Sequence, residues 1–234
     1  MLFDNDTYES RKYDLFPNHR YSFVSYRQQQ TYIDRYGIKN CKVVYNGVNV
    51  GTYFHVNKAE RKYILYVGRM LEEKGFHDAL ELSARIDMPL AYCTSDADKK
   101  TVYYRSLIPK INAVGAQDLG FVSGTMREET YRKALFTIFP ATWNDSFGMV
   151  ITESMAQGTP VIGYDTGAVT EIIEDGRSGY VVPSSNIIEM RVRGLENASR
   201  KLMGMTDTEY ANMSYSAYIQ VKDNFFDCKN GRRL

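Results

Sequence analysis

From residue 63 onward, short apolar runs alternate with segments of helical spacing. "YILYVG" (63–68) is β-rich, and "GFHDALELSARI" (75–86) carries apolar residues three and four apart. The pair of signals recurs: "PLAYCTS" then "TVYYRSLIPKI", "DLGFVSG" then "REETYRKAL", "FTIFPAT" then "FGMVITESMAQG", and "PVIGYD" then "VTEIIEDG", with "GYVV" closing the series. The strand-like runs are continuous rather than alternating, as in strands covered on both faces. Such strands, each followed by a helix, predict βαβ units and hence an α/β fold, a doubly wound parallel sheet of Rossmann-like type. Ligands of these sheets bind beyond the C-terminal ends of the strands. That predicts one rim shared by "GRMLEEKG" (68–75), "FVSG" (121–124), "TWNDSFG" (142–148) and "YDTGAV" (164–169).

Two flanks stand outside this rhythm. Residues 1–60 hold a polar start, one strand-and-helix signal ("YSFVSYRQQQTYIDRYG") and "VVYNGVNVGTYF" with an Asn-Gly turn signal. Residues 186–226 read as one or two long helices, broken near "GMTDTEY", where Thr206 or Asp207 would cap the last. The division expected is 1–50, 51–205 as the sheet domain, and 206–234 as a C-terminal helix and tail.

Composition removes several function classes. Lys plus Arg total 29 against 28 acids, so no net field steers the chain to nucleic acid or anionic lipid. Three widely spaced cysteines, without a C-x-x-C, argue for a reducing compartment and against a zinc site or a disulfide framework. "MLFDNDTYES" lacks the regions of a signal peptide, and no apolar run approaches the ~20 residues of a membrane helix. The expectation is a soluble, cytoplasmic protein. His19, His55 and His77 share no metal-like spacing, so no metal site is expected.

A Rossmann-like sheet raises the question of nucleotides. No two glycines stand two apart, so G-x-G is absent, and no glycine precedes a lysine, so there is no P-loop. Arg69 and Lys74 share one strand-to-helix loop, where both would reach over the rim and neutralise a diphosphate; the ordinary alternative is a surface loop paired with Glu72 and Glu73. Asn144, Asp145 and Ser146 are good N-cap residues, predicting a helix from near Ser146. The amides of Phe147, Gly148 and Met149 would then face an anion, or else Gly148 serves only close packing. Glu153 would share a helix face with Met149, Val150 and Ala156, a face expected to be buried. A carboxylate there needs a cation or hydrogen-bond donors, from a structural partner or from a ligand with two hydroxyls such as a ribose. Gly167 predicts a turn at the same rim, with Thr166 and Thr170 as caps or ligand contacts.

Together these motifs resemble the C-terminal, donor-binding half of a retaining glycosyltransferase of GT-B architecture, from family 4. "NGVN" (46–49) is similar to the family's Asn-Gly-Val-Asp, and "GRMLEEKG" to its Gly-Arg-x-x-x-x-Lys-Gly. "PATWNDSFGMVITESMAQGTPVIGYDTGAVTEIIEDGRSGYVV" (140–182) resembles its signature region. The resemblance covers residues 20–225 or so. It implies a nucleotide-diphosphate-sugar donor, UDP- or GDP-linked, no cofactor, a metal-independent hexosyl transfer, and an acceptor that is a saccharide, lipid or protein. Arg69 and Lys74, with Gly68, would hold the diphosphate. The backbone around Ser146, Phe147, Gly148, Met149 and Val150 would meet phosphate or sugar oxygens, with Gly167 alongside. Glu153 would take the ribose hydroxyls, Asp145 would touch the sugar, and Phe121 and Val122 would lie by the base.

This sequence departs from the family pattern in several places. Asp145 stands for a glutamate, Asn49 for an aspartate, Ala168 for a glycine and Thr170 for a proline. The resemblance implies that the family's N-terminal acceptor domain survives here as a remnant in residues 1–50, and a protein partner or self-association in its place is among the expectations. The alternatives kept open are a nucleotide-sugar-binding module or split subunit without catalysis of its own, and a purely structural α/β domain.

Overall fold

A computed structural model describes residues 13, 18–53 and 57–225. The predicted series folds into one six-stranded sheet of β3 (Tyr63–Val67), β4 (Leu90–Cys93), β5 (Gln117–Asp118), β6 (Ala134–Phe139), β7 (Val161–Tyr164) and β8 (Gly179–Val182). Its order is β5-β4-β3-β6-β7-β8, with every pair parallel. The order runs outward in both directions from the β3/β6 pair. The loops leaving these two strands therefore diverge and open a crevice between them.

The continuous apolar runs are explained by cover on both faces. Ile64 and Tyr66 of β3 enter one core cluster, with Phe76 and Leu80 of α2 (Phe76–Ile86) and Leu195 and Leu202 of α7 (Ile188–Met203). Leu65, between them in sequence, points the other way into a cluster with Tyr131 of α4 (Gly124–Lys133). α3 (Val102–Val114) adds Leu107 and Ile111 to the first cluster. A third cluster joins Ile151 and Met155 of α5 (Met149–Met155), Val169 and Ile172 of α6 (Val169–Ile172), and Ala217 and Val221 of α8 (Asp207–Asn224). The doubly wound parallel sheet is thus observed. The break between the last two helices falls where expected, and Thr206 caps α8 through a capping box with Glu209.

A second, two-stranded parallel sheet pairs β1 (Tyr21–Phe23) with β2 (Cys41–Val43), joined by α1 (Tyr26–Tyr36). This unit rests on the rim of the large sheet. Glu171 accepts from the amides of Tyr26 and Arg27 at 2.8 and 2.7 Å, so a carboxylate of α6 caps α1. Ser25 Oγ donates to the Ser146 carbonyl at 2.6 Å.

Four local expectations are corrected. "DLGFVSG" yields strand only at Gln117–Asp118: the Asp118 side chain accepts from the Gly120 amide at 2.8 Å and turns the chain off the edge. "VTEIIEDG" gives only the four-residue α6, because Ile173 is already extended. The helix expected from Ser146 starts at Met149, with Gly148 as N-cap at φ +86° and no side-chain cap. At Asn46-Gly47 no turn forms, and the chain instead runs into an isolated bridge position at Val48. Among the described residues no helix is long and apolar enough to cross a membrane.

His77 is half-buried and tied to the core through its hydrogen bonds. Its Nε2 lies 3.0 Å from Arg191 Nη2 and therefore accepts, leaving Nδ1–H to donate to Tyr103 Oη at 2.7 Å. Burial holds this imidazole below the ordinary histidine range, against the pull of Asp78. The unfolded chain therefore takes up this proton at a higher pH than the folded one. The contribution is complete above the unfolded value of about 6.5 and is lost as pH falls through the folded value. Urea midpoints measured from about pH 8 down to pH 5 should decline, and His77→Gln should flatten that slope.

Candidate functional site

At the C-terminal ends of β3, β4 and β5 lies a cleft of about 350 Å³. The loop after β3 supplies Gly68 and Arg69, and the loop after β4 supplies Thr94, Ser95 and Asp98. The segment after β5 supplies Phe121, Val122 and Ser123, while Arg127 of α4 and Glu153 of α5 close the far wall. Phe121 is 77% exposed and Val122 is buried, so the aromatic ring stands at the mouth on an apolar base.

Glu153 is the centre of this wall. Its side chain is only 15% exposed, and it accepts from Arg127 Nη1 at 2.9 Å and from Tyr131 Oη at 3.1 Å. Burial pushes its carboxyl above the ordinary range, while the Arg127 charge and the Tyr131 bond oppose that rise. The question of what partners this carboxylate has a protein answer, and the face it occupies differs from expectation. Ile151, Thr152, Ser154 and Met155 form the buried side of α5; Met149 is exposed and Val150 half-buried, so the face of Glu153 opens to the cleft. Ser154 anchors the buried side by donating to the Thr159 carbonyl at 3.0 Å, with its hydroxyl 2.7 Å from Thr137 Oγ1.

Arg69 is held on the opposite wall. Its side chain is 70% exposed, with Nε 3.7 Å from Asp98 Oδ1. Asp98 is itself fixed, accepting from the Met70 amide at 3.3 Å and from Ser95 Oγ at 2.5 Å. Among the described residues Arg69 pairs with Asp98, and the ordinary alternative of pairing with Glu72 or Glu73 is not seen.

Lys74 and Asp145 form a second group, beside the β3/β6 crevice. They are joined as an ion pair, and the Thr142 amide donates to the Glu73 carbonyl at 2.9 Å, tying together the loops that leave β3 and β6. Gly167, at φ +52°, lies so close that a Cβ would stand 2.2 Å from the Asp145 carbonyl oxygen. Its amide donates to Asn144 Oδ1 at 3.0 Å. Asn144 and Asp145 thus spend their side chains on neighbouring loops and not on the helix, which explains the late start of α5. Ser146 turns to the small sheet, accepting from Gln28 Nε2 at 3.2 Å. The Phe147 ring is buried against Tyr45 and Phe225, so it is core, while its backbone lies on the rim. Gly148 fits by close packing: a Cβ there would meet Ile151 Cδ1 at 2.9 Å.

The fold therefore brings Gly68, Arg69, Phe121, Val122 and Glu153 into one cleft. Lys74, Asp145 and Gly167 gather in the adjoining loops, and Ser146, Phe147, Gly148, Met149 and Val150 do not line the cleft. Sequence reasoning missed Arg127, Tyr131 and Asp98. Arg127 and Tyr131 are spaced i, i+4 on one helix, a legible signal of a shared face; Asp98 lies in a loop with no such signal. Each cation here has a carboxylate: Arg69 with Asp98, Lys74 with Asp145, and Arg127 with Glu153. An incoming diphosphate would meet a lining of no net charge and would compete with these carboxylates for the cations. The Cys93 thiol at the cleft floor is raised to about 12 by burial and then by Asp118, which leaves it protonated and unreactive.

Solved structures share this architecture. Sucrose-phosphate synthase from Thermosynechococcus elongatus matches with a TM-score of 0.78 at 18% identity, over 92% of this chain and 56% of that one. The Anabaena protein HepE, solved in complex with UDP and glucose, matches with a TM-score of 0.77 at 18% identity, over 94% of this chain and 64% of its own. Among curated proteins, an uncharacterized glycosyltransferase of Methanocaldococcus jannaschii is 27% identical over 173 residues, 72% of this chain and 48% of its own length. The alpha-D-kanosaminyltransferase of Streptomyces kanamyceticus is 29% identical over 135 residues, 56% of this chain and 35% of its own. The chain thus spans half or less of the length of these two relatives. The family model for glycosyl transferases group 1 matches residues 54–202, which contain the whole six-stranded sheet and the cleft at its rim, and the chain belongs to that family.

Proposed function

We propose that this chain binds a nucleoside-diphosphate sugar in the cleft and takes part in transferring its hexosyl group to an acceptor with retention of configuration, as in family 4. The observation that carries the reading is the Glu153 carboxylate, oriented from two sides by Arg127 and Tyr131 at the C-terminal ends of a doubly wound sheet. It offers unused lone pairs to the two hydroxyls of a ribose. Phe121 and Val122 then flank the base, and Arg69 meets the diphosphate. Lys74 exchanges Asp145 for the second phosphate, which releases Asp145 toward the sugar.

In the transfer, the bond from the anomeric carbon to the diphosphate breaks with its electron pair leaving on the phosphate oxygen. Arg69 and Lys74 stabilise the charge that grows there, with no step assigned to a metal. The acceptor hydroxyl forms the new bond on the face the diphosphate leaves, and its proton passes to the departing phosphate oxygen. The donors ranked first are UDP- and GDP-linked hexoses, by family practice, and the acceptor class remains a saccharide, lipid or protein.

The second reading is a donor-binding subunit that lacks catalysis of its own. It draws on the cations of the site, each of which is already paired with a carboxylate. Release of UDP or GDP from UDP-glucose or GDP-mannose by the purified chain, undiminished by chelator, supports the first reading. Saturable binding without release, under any acceptor, leaves only the second.

A further inference from the structure

We propose that Arg127 is a positioning residue for Glu153, and that through it the cleft prefers ribonucleoside over 2′-deoxyribonucleoside diphosphates. This rests on the donor-site reading above.

The geometry is a two-point clamp. Arg127 holds Oε1 and Tyr131 holds Oε2, so the plane of the carboxylate is set and one lone pair on each oxygen stays available to the cleft. Two vicinal hydroxyls match those two lone pairs, whereas a 2′-deoxyribose fills one and leaves the other desolvated and unmet. The two clamp residues differ in freedom. Tyr131 is fully buried, and its carbonyl accepts from Arg61 Nη1 and Thr159 Oγ1 at 3.2 and 2.8 Å, so that end is anchored in the core. Arg127 is half exposed and lines the cleft, and among the described residues its ion-pair partner is Glu153.

Arg127 also keeps the carboxylate an acceptor. The titratable groups touching Glu153 are Arg127 and Tyr131, both from α4; across the cleft stand Arg69, Asp98 and the Cys93 thiol. Burial favours the protonated acid, and without Arg127 only the Tyr131 bond opposes it. A protonated Glu153 would present a donor where the ribose needs an acceptor.

The test is calorimetric titration with UDP, GDP, their 2′-deoxy forms and inorganic pyrophosphate, across neutral pH. It compares wild type with Arg127→Gln, Arg127→Lys and Glu153→Gln. Arg127→Gln should weaken UDP or GDP about tenfold and narrow the ribo-to-deoxy preference to about twofold. Pyrophosphate affinity should be unchanged, and the loss should deepen as pH falls. Arg127→Lys should recover most of the affinity, and Arg127→Gln should add nothing on a Glu153→Gln background. An equal loss for pyrophosphate would reassign Arg127 to the phosphates and overturn the proposal, as would an Arg127→Gln protein that keeps the ribose preference at every pH. If wild type binds pyrophosphate but neither nucleoside diphosphate, the donor-site reading fails and this inference fails with it. Tight nucleotide binding indifferent to Arg127→Gln overturns this inference alone.

Discussion

Glu153→Ala should weaken UDP or GDP binding by about 100-fold, while Asp145→Ala should leave it unchanged or tighter. The first effect is the loss of two hydrogen bonds to a charged acceptor, roughly 3 kcal/mol after exchange with water. It also strands the buried Tyr131 hydroxyl and releases Arg127 from its contact. The second effect has the opposite sign because Asp145 competes with the diphosphate for Lys74. Removing that carboxylate frees a cation without touching the ribose, so any penalty should appear with the intact sugar donor and not with the free nucleotide. Calorimetry with UDP and then UDP-glucose on both variants separates the two. Equal affinities of wild type and Glu153→Ala would remove Glu153 from the donor site, and a large loss of UDP binding in Asp145→Ala would mean that the Lys74 pair organises the site and does not compete with the ligand.

The largest stability loss should come from Asp78→Ala, about 3–5 kcal/mol. Asp78 is buried to 1% exposure in the first turn of α2, and it accepts from Arg191 Nε at 2.6 Å, Arg191 Nη2 at 3.1 Å and Tyr164 Oη at 2.9 Å. Three elements therefore meet on one carboxylate: α2, α7 and β7. Its removal leaves the Arg191 guanidinium and the Tyr164 phenol without this partner in a largely buried site. A domain of ordinary stability would lose about a fifth or more of its folding free energy. The urea midpoint at unchanged m-value measures this. Asp78→Ala with Arg191→Met should recover part of the loss, because no buried charge then lacks a partner. A loss below about 1 kcal/mol for the single variant would show that the network is solvated in practice.

α2 starts at the end of the loop that carries Arg69 and Lys74, so this network also fixes one boundary of the candidate site. Burial on one face of the sheet is thereby coupled to placement of the cations at its rim. His77, adjacent in sequence, extends the same coupling toward Tyr103 of α3.

Much of the fold was legible because its signals are local. The runs from Tyr63 to Val67 and from Ala134 to Phe139 are apolar without alternation, with Thr137 the one polar exception, and two-sided cover accounts for that. Thr206 and Glu209 carry a capping box in four consecutive residues. The local reading failed where distant partners competed for the same groups. Asn144, Asp145 and Ser146 are good caps in isolation, yet Gly167, Lys74 and Gln28 claim their side chains, and α5 begins three residues later than Ser146. Phe121 and Val122 look like strand, but the Asp118 turn ends β5 first and sends them to the cleft.

The sequence by itself determined the doubly wound sheet, the rim on which its loops converge, and the need of Glu153 for a partner. Those follow from apolar periodicity, from the twist and handedness of βαβ units, and from the cost of burying a carboxylate. Only the tertiary structure decided which partner each charge takes: Arg127 for Glu153, Asp98 for Arg69, and Asp145 for Lys74. The reason is sequence separation. These pairs join residues 26, 29 and 71 positions apart, and their geometry exists only once the strands that space them have packed into one sheet.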